Sequence, residues 1–247
     1  MNAYDALAAS YDALTYDVPY EKILAFWETV LHGRGKRPAS VVDLACGTGS
    51  LSVLLAERGY DVTGVDSSEE MLTQAAGKAA GMEHPPMLVR QKMESLRLPA
   101  PADWIVSCLD GLNYVNQDAC RKTMRRCFDS LAPGGMLTFD VSSPHKLRQM
   151  DGQVWLDETE REYCVWRTEF DEKENVCRFG VDLFTRQGSL WRREFEEHRQ
   201  YAHRTEDLTV WLEEAGFRKI RAFGDLTMEP PKEDARRIFL AAEKEQP

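Results

Sequence analysis

The chain has 247 residues, with 31 Lys and Arg against 41 Asp and Glu, a formal net charge of −10. That length suits one large domain or a domain with a modest insert, and an acidic surface argues against a broad nucleic-acid footprint, although a local basic patch stays open. Six cysteines (Cys46, Cys108, Cys120, Cys127, Cys164, Cys177) include no C-x-x-C pair, so neither a zinc site nor a disulfide framework is signalled, and we expect no metal. The segment from Met1 to Leu7 lacks the basic start of a signal peptide. No apolar run approaches the roughly 20 residues needed to span a bilayer. The expectation is a cytoplasmic protein.

The first forty residues read as helical, with Ile23, Leu24, Phe26, Trp27, Val30 and Leu31 at helical spacing and Gly33 and Gly35 as the stop. Ser40–Leu44 then reads as a short apolar strand followed by a glycine turn, and Leu51–Arg58 as a helix ended by Gly59. A second strand closes at Asp66. Ser67 or Ser68 can cap the next helix, with Glu69 and Glu70 in its first turn. Strands at Met87–Val89 and Trp104–Leu109, a helix at Ala119–Leu131 and a strand at Met136–Val141 continue the alternation. Such alternation predicts a parallel sheet covered by helices on both faces.

The rhythm changes after Pro144. Tyr163–Phe170, Val176–Phe184 and Leu190–Tyr201 read as antiparallel strands joined by turns at Asp171–Asn175 and Gln187–Ser189. A helix at Glu206–Ala215 and strands at Lys219–Phe223 and Arg237–Ala242 follow. The expected architecture is an α/β, Rossmann-like core over residues 1–147 and 205–247, with N-terminal helices (1–35) as a cap. A β-rich insert over 148–204 would serve as a substrate-side lid or a dimerisation element, in a monomer or a homodimer.

The chemistry concentrates in Val41–Ser50. A strand ends, glycines allow close backbone approach, and a helix begins, which places a ligand at the carboxyl end of the first strand. Asp66, ending the second strand, can accept hydrogen bonds from both hydroxyls of a ribose. A dinucleotide fingerprint would have a third glycine, or Ala, where Ser52 stands. Asp43 sits just before the turn, poorly suited to a pyrophosphate and well suited to a cationic sulfonium and amino group. These electrostatics favour S-adenosylmethionine (SAM) over a nicotinamide dinucleotide, and an oxidoreductase reading is correspondingly weaker.

Asp43-Leu-Ala-Cys-Gly-Thr-Gly49 closely resembles the first motif of class I SAM-dependent methyltransferases. Val62–Leu72, Ser107–Tyr114, Leu131–Val141 and Ala215-Gly-Phe217 resemble the later motifs of that family, in order, over nearly the whole chain. Ala9-Ser-Tyr11-Asp12, Val18-Pro-Tyr20 and Glu196-x-His198 resemble a bacterial subgroup with a β-rich insert. The resemblance implies a mostly parallel seven-stranded sheet with an antiparallel insert between strand five and the last helix. It also implies SAM as cofactor and S-adenosylhomocysteine (SAH) as product. The backbone from Ala45 through Cys46 and Gly47 to Gly49 would pack against the methionine part of SAM, and Asp43 would orient its amino end. Asp66 would hold the ribose diol, Ser67 and Met71 would flank the adenosine, and Met93 would give adenine a backbone N–H and an apolar face. Leu109 would offer its carbonyl, and Tyr11 would close the pocket. The subgroup's acidic residue before the Met93 position is replaced by Lys92, which has no acceptor for the adenine amino group; Glu94 could substitute.

Methyl transfer needs alignment, exclusion of water and, where required, removal of a proton. Tyr11, Asn113, Tyr114 and His198 are the catalytic candidates. Tyr11 and Tyr114 read more readily as wall residues than as acid or base. His198 reads equally well as a surface strand histidine paired with a neighbouring glutamate. Trp155, Trp166 and Trp191 read as core fillers, Arg192 and Arg193 as a solvated face, and Cys46 as a small spacer. The expected activity is methylation of a small molecule at N or O. The alternatives are an RNA methyltransferase and a SAM-binding regulator without turnover.

Overall fold

A computed structural model describes residues 7–32 and 37–246; the expected helix stop at Gly33 and Gly35 lies outside these. The helical start of the chain forms two helices. They are α1 (Tyr11–Leu14) and α2 (Tyr20–His32), separated at Pro19, where the missing N–H suits a helix start.

The alternating region gives β1 (Ser40–Leu44), α3 (Ser50–Glu57), β2 (Asp61–Asp66), α4 (Glu69–Lys78), β3 (Met87–Arg90), β4 (Ala102–Ser107), α5 (Gln117–Ser130) and β5 (Leu131–Ser142). Single 3-10 turns at Met93–Ser95 and Gly111–Tyr114 follow β3 and β4. Ser68 is the residue that caps α4, its side chain accepting from the Met71 N–H at 3.2 Å. Pro144–Gln149 forms a short helix, α6, unforeseen from periodicity but carrying a plain local signal, a capping Ser143 and proline in its first turn.

The insert forms β6 (Val154–Glu158), β7 (Glu162–Asp171), β8 (Val176–Gln187) and β9 (Leu190–Tyr201), antiparallel in that order. The chain then returns through α7 (Thr205–Ala215) to β10 (Arg218–Gly224) and β11 (Arg237–Glu243).

The main sheet runs β10-β11-β5-β4-β1-β2-β3. Strands β1 to β5 pair in parallel, and β11 runs antiparallel to both its neighbours. The chain first builds outward from β1 through β2 to β3, then crosses back to lay β4 and β5 on the other side of β1. That reversal opens a crevice at the carboxyl ends of β1 and β4, where such sheets bind ligands.

Strand β4 shows why the sheet is covered on both faces. Its run Trp104-Ile-Val106 is wholly buried, and alternation sends Trp104 and Val106 towards α2 and α3 while Ile105 faces α5 and α7. The second sheet buries one face in its own smaller core. Phe170, Phe179, Val181 and Leu183 meet Leu7, Leu14 and Leu147 there.

Trp155 and Trp166 stack at 6.0 Å beside this core. Trp191 does not fill a core: it lies opposite Arg186 near the β8–β9 turn and is 50% exposed. Arg192 pairs with Glu194, and Arg193 with the buried Asp182. Among the described residues no helix is long and apolar enough to cross a membrane.

Candidate active site

The crevice holds a cavity of about 320 Å³, lined by the ends of β1, β2 and β4, the glycine turn, the Met93 turn and the N-terminal helices. Such a volume lies in the range of small-molecule sites. Of the residues singled out from the sequence, Tyr11, Asp43, Ala45, Cys46, Gly47, Asp66, Ser67, Met71, Met93, Leu109 and Tyr114 line it. Gly49, Asn113 and His198 do not.

The glycine turn earns its shape from its backbone. Ala45 and Gly47 lie at φ 61° and 54°, the left-handed region where glycine costs least. The Gly47 N–H donates to Asp66 Oδ2 at 2.9 Å, and the Ser68 N–H donates to Asp66 Oδ1 at 2.9 Å. Asp66 thus ties the first turn to the second, and each oxygen keeps acceptor capacity for a ligand. Burial raises the Asp66 pKa, against the opposing pull of these N–H donors.

Gly49 lies at φ 74°, and a Cβ there would meet Ala75 Cβ at 2.8 Å. Its place is the close approach of α3 to α4.

Asp43 is buried and accepts from Ser52 Oγ at 2.6 Å. Burial pushes its carboxyl up to about 7, with the Ser52 hydrogen bond opposing and the Asp66 charge adding to the rise. Burial also holds the Cys46 and Cys108 thiols well above their ordinary range, which disfavours the reactive thiolate.

After β4, Leu109 and Asp110 take consecutive left-handed conformations at φ 57° and 56°. Backbone of this kind costs about 1–3 kcal/mol per residue and persists only where the surroundings enforce it. Here Asp140 at the end of β5 does so, accepting from the Leu109 N–H at 3.0 Å and the Asp110 N–H at 3.2 Å. Arg237 on β11 bridges Asp140 and Asp110 with its two terminal nitrogens.

Asp110 also accepts from Gln200 Nε2 at 2.7 Å, and the same amide donates to the Tyr114 hydroxyl at 3.2 Å. Gln200 lies on β9, so the insert is bonded directly to the loop that faces the cavity.

Asn113 is fully buried. Its amide donates to the carbonyls of Ser142 and Tyr201 at 3.1 and 2.9 Å and accepts from the Ser142 N–H at 2.9 Å. It joins the end of β5 to the end of β9. His198 is also buried and does not sit on the surface; its Nε2 lies 2.9 Å from Glu196 Oε2. Its ring packs edge-on against Tyr114, centroids 6.1 Å apart.

Tyr20, Gln91, Lys92 and Glu94 also line the cavity. Sequence reasoning missed Ser52 as the partner of Asp43, together with Asp110 and Gln200. Gln200 carried a weak signal, since it shares a strand face with Glu196 and His198 at two-residue spacing. Among the described residues no cluster of His, Cys, Asp and Glu could hold a metal ion.

The cavity fits SAM on its own chemistry. A carboxylate at the end of β2 has acceptor capacity that a hydroxyl pair could use, a second buried carboxylate beside the glycine turn suits a cation, and Met71 and Met93 supply apolar walls.

Residues 41–135 match the family described as "Methyltransferase domain". The chain is 31% identical to "Putative methyltransferase YqeM" of Bacillus subtilis (strain 168) over 244 residues, 98% of this chain and 97% of that protein. A SAM-dependent methyltransferase from Clostridium acetobutylicum ATCC 824 shares the whole fold, with a TM-score of 0.87 and 26% identity, covering 99% of this chain and 100% of that one. SAM-bound CalS10, an amino pentose methyltransferase from Micromonospora echinaspora, superposes with a TM-score of 0.75 at 19% identity over 98% of each chain. The chain belongs to the class I SAM-dependent methyltransferases.

Proposed function

We propose that this methyltransferase acts on N or O of a small molecule in the cytoplasm, with the acceptor entering on the side bounded by Tyr11, Tyr114 and the insert. Bound SAM supplies an electrophilic methyl group on a sulfonium centre, so the chain has to position, dehydrate and, where the acceptor requires it, accept a proton. Asp66 takes the ribose hydroxyls, and Asp43 faces the amino end. The backbone of Ala45 to Gly47 and the Leu109 carbonyl serve the methionine part, while Ser67, Met71 and Met93 flank the adenosine. Tyr11 and Tyr114 form the wall on the acceptor side.

Tyr114 is the acceptor-facing hydroxyl in this reading. Its oxygen accepts from Gln200 and its ring is backed by His198, itself held by Glu196. His198 and Asn113 are positioning residues: the first braces the Tyr114 ring, the second clamps the strands around it. The insert acts as a lid on the acceptor side.

The observation that carries the reading is the bond from Gln200 to both Asp110 and Tyr114, because it brings the insert to the cavity wall. The likeness of the fold to an amino pentose methyltransferase, and the acidic charge of the chain, support a small-molecule acceptor over RNA.

Two measurements test it. SAH should bind in a calorimetric titration, and Asp66→Ala should weaken it by at least about 100-fold, the lower end for two hydrogen bonds to a charged group. The protein should then be incubated with labelled SAM and either a small-molecule extract or tRNA. Label in the small-molecule fraction is the expected result. Label in tRNA would replace the reading with RNA methylation. No label in either fraction, with SAH binding intact, would favour a SAM-binding regulator.

A further inference from the structure

Four elements meet at one charged pair outside the cavity. Lys78 stands at the end of α4, and its Nζ donates to Asp12 Oδ2 at 2.7 Å, Ser50 Oγ at 2.6 Å and Thr48 Oγ1 at 3.2 Å. Those three bonds use every donor of the ammonium group. Thr48 Oγ1 donates in turn to Asp12 Oδ1 at 2.7 Å, and Ser50 Oγ stands 3.5 Å from the same oxygen. The Tyr20 side chain at the start of α2 is hydrogen-bonded to Ser50.

Asp12 belongs to α1 and directly follows Tyr11, a wall of the cavity. Thr48 belongs to the glycine turn and lines the same cavity. The pair therefore fastens the segment carrying Tyr11 to the loop that receives the methionine part of SAM.

Helix α1 has four residues and no side-chain cap. One turn of helix is unstable alone, so its place is set by what it touches. Nearby, Leu7 and Leu14 pack into the core of the insert, and Ser10 reaches Glu162 at 3.4 Å. The segment straddles the insert and the core, and Asp12 ties it to the core.

We propose that Lys78 is a positioning residue for the cofactor site: the Lys78–Asp12–Thr48 clasp holds Tyr11 across the cavity and sets how fast SAH leaves. The proposal rests on the reading of Tyr11 as the cap over the cofactor. The strength of the clasp suits a gate. The Asp12 side chain is 48% exposed and that of Lys78 27%, so water and salt compete with the pair. It is firm enough to bias closure and weak enough to open in each cycle.

The test is the dissociation rate of SAH, followed by stopped-flow displacement, alongside affinity from calorimetry. Lys78→Met and Asp12→Asn should each speed dissociation about fivefold, the upper range for a partly exposed pair. Association should change little. Lys78→Arg should hold the wild-type rate, and Asp12→Lys combined with Lys78→Asp should recover part of it. In the wild type the rate should climb with ionic strength, and in Lys78→Met it should stay flat.

Should Lys78→Met release SAH at the wild-type rate, while Asp66→Ala still abolishes tight binding, the clasp is idle and the proposal falls with the cofactor site intact. Tight SAH binding by Asp66→Ala would instead remove the cavity assignment, and the clasp's role with it. If Lys78→Met fails to fold, the salt dependence of the wild type and the rate of Lys78→Arg decide the matter; a salt-independent wild-type rate overturns it.

Discussion

Ser52 Oγ donates to Asp43 Oδ2 at 2.6 Å, both residues buried and Asp43 lining the cavity. Ser52 stands where a dinucleotide-binding turn keeps a glycine or Ala, and the structure shows what replaces that small residue. The room comes from the strand side: a Cβ on Gly64 of β2 would lie 3.1 Å from Ser52 Oγ and 3.2 Å from Cys46 Sγ. A hydroxyl therefore fits against the sheet and holds the buried carboxylate. Ser52→Ala should destabilise the protein by about 1–3 kcal/mol at pH 7.5, the cost of leaving a buried acceptor short of its partner. Denaturant unfolding measures this, and a loss below a few tenths of a kcal/mol would deny Ser52 that role.

A pH effect follows from the Asp43 carboxyl, whose pKa is raised to about 7 by burial. Below about pH 7 the folded, unliganded protein therefore prefers the protonated acid. Asp43 thus contributes stability that is fully present below the ordinary carboxylate range and is lost as pH climbs through about 7. A bound cation reverses the preference by favouring the carboxylate. SAM affinity should therefore improve roughly eightfold from pH 6 to pH 7.5, as the competing proton leaves a group titrating near 7. Calorimetry in buffers of different ionisation enthalpy should detect proton release on binding at pH 6, and Asp43→Asn should abolish it.

Asn113 makes three hydrogen bonds to backbone groups of Ser142 and Tyr201. Asn113→Ala would remove all three bonds from a buried site, for an expected loss of about 2–4 kcal/mol. The melting temperature should fall clearly. Turnover per folded molecule, measured well below the melting range, should fall far less than the hundredfold or more expected for a general acid or base.

His198→Ala should have the opposite signature. It removes the ring that packs against Tyr114 and leaves Glu196 without its His198 contact. We expect SAH affinity within about threefold of wild type, with kcat lowered at least tenfold through misplacement of Tyr114. Unchanged kcat would reduce His198 to a packing residue.

Lys92 and Glu94 both line the cavity, either side of Met93. Lys92 has no acceptor, so Lys92→Asp should supply one for the adenine amino group and tighten SAH binding by about 1 kcal/mol, roughly fivefold. If Glu94 already serves as that acceptor, Lys92→Asp will change little and Glu94→Gln will weaken binding by a similar factor. Calorimetric titration of the two variants separates these cases.

Asp43 and Asp66 were legible from the sequence because each sits at a strand end defined by its immediate neighbours. A short apolar run, a glycine turn and a capped helix are local signals, and their order along the chain already implies a parallel sheet with a ligand at its carboxyl edge. The β-rich character of the insert was legible for the same reason, through two-residue alternation and turn residues.

The sequence by itself therefore determined the alternating core, the glycine turn and the two carboxylates, since local geometry and hydrophobic period decide them. It did not reveal that Trp191 faces water, that Asn113 is a clamp, or that His198 lies behind Tyr114. It also hid the bonds from Gln200 to Asp110 and from Lys78 to Asp12. Each depends on the register of antiparallel strands or on the docking of distant elements, where a shift of one residue turns a side chain to the opposite face. Only the tertiary structure decided those, because their partners are neighbours in space and not along the chain.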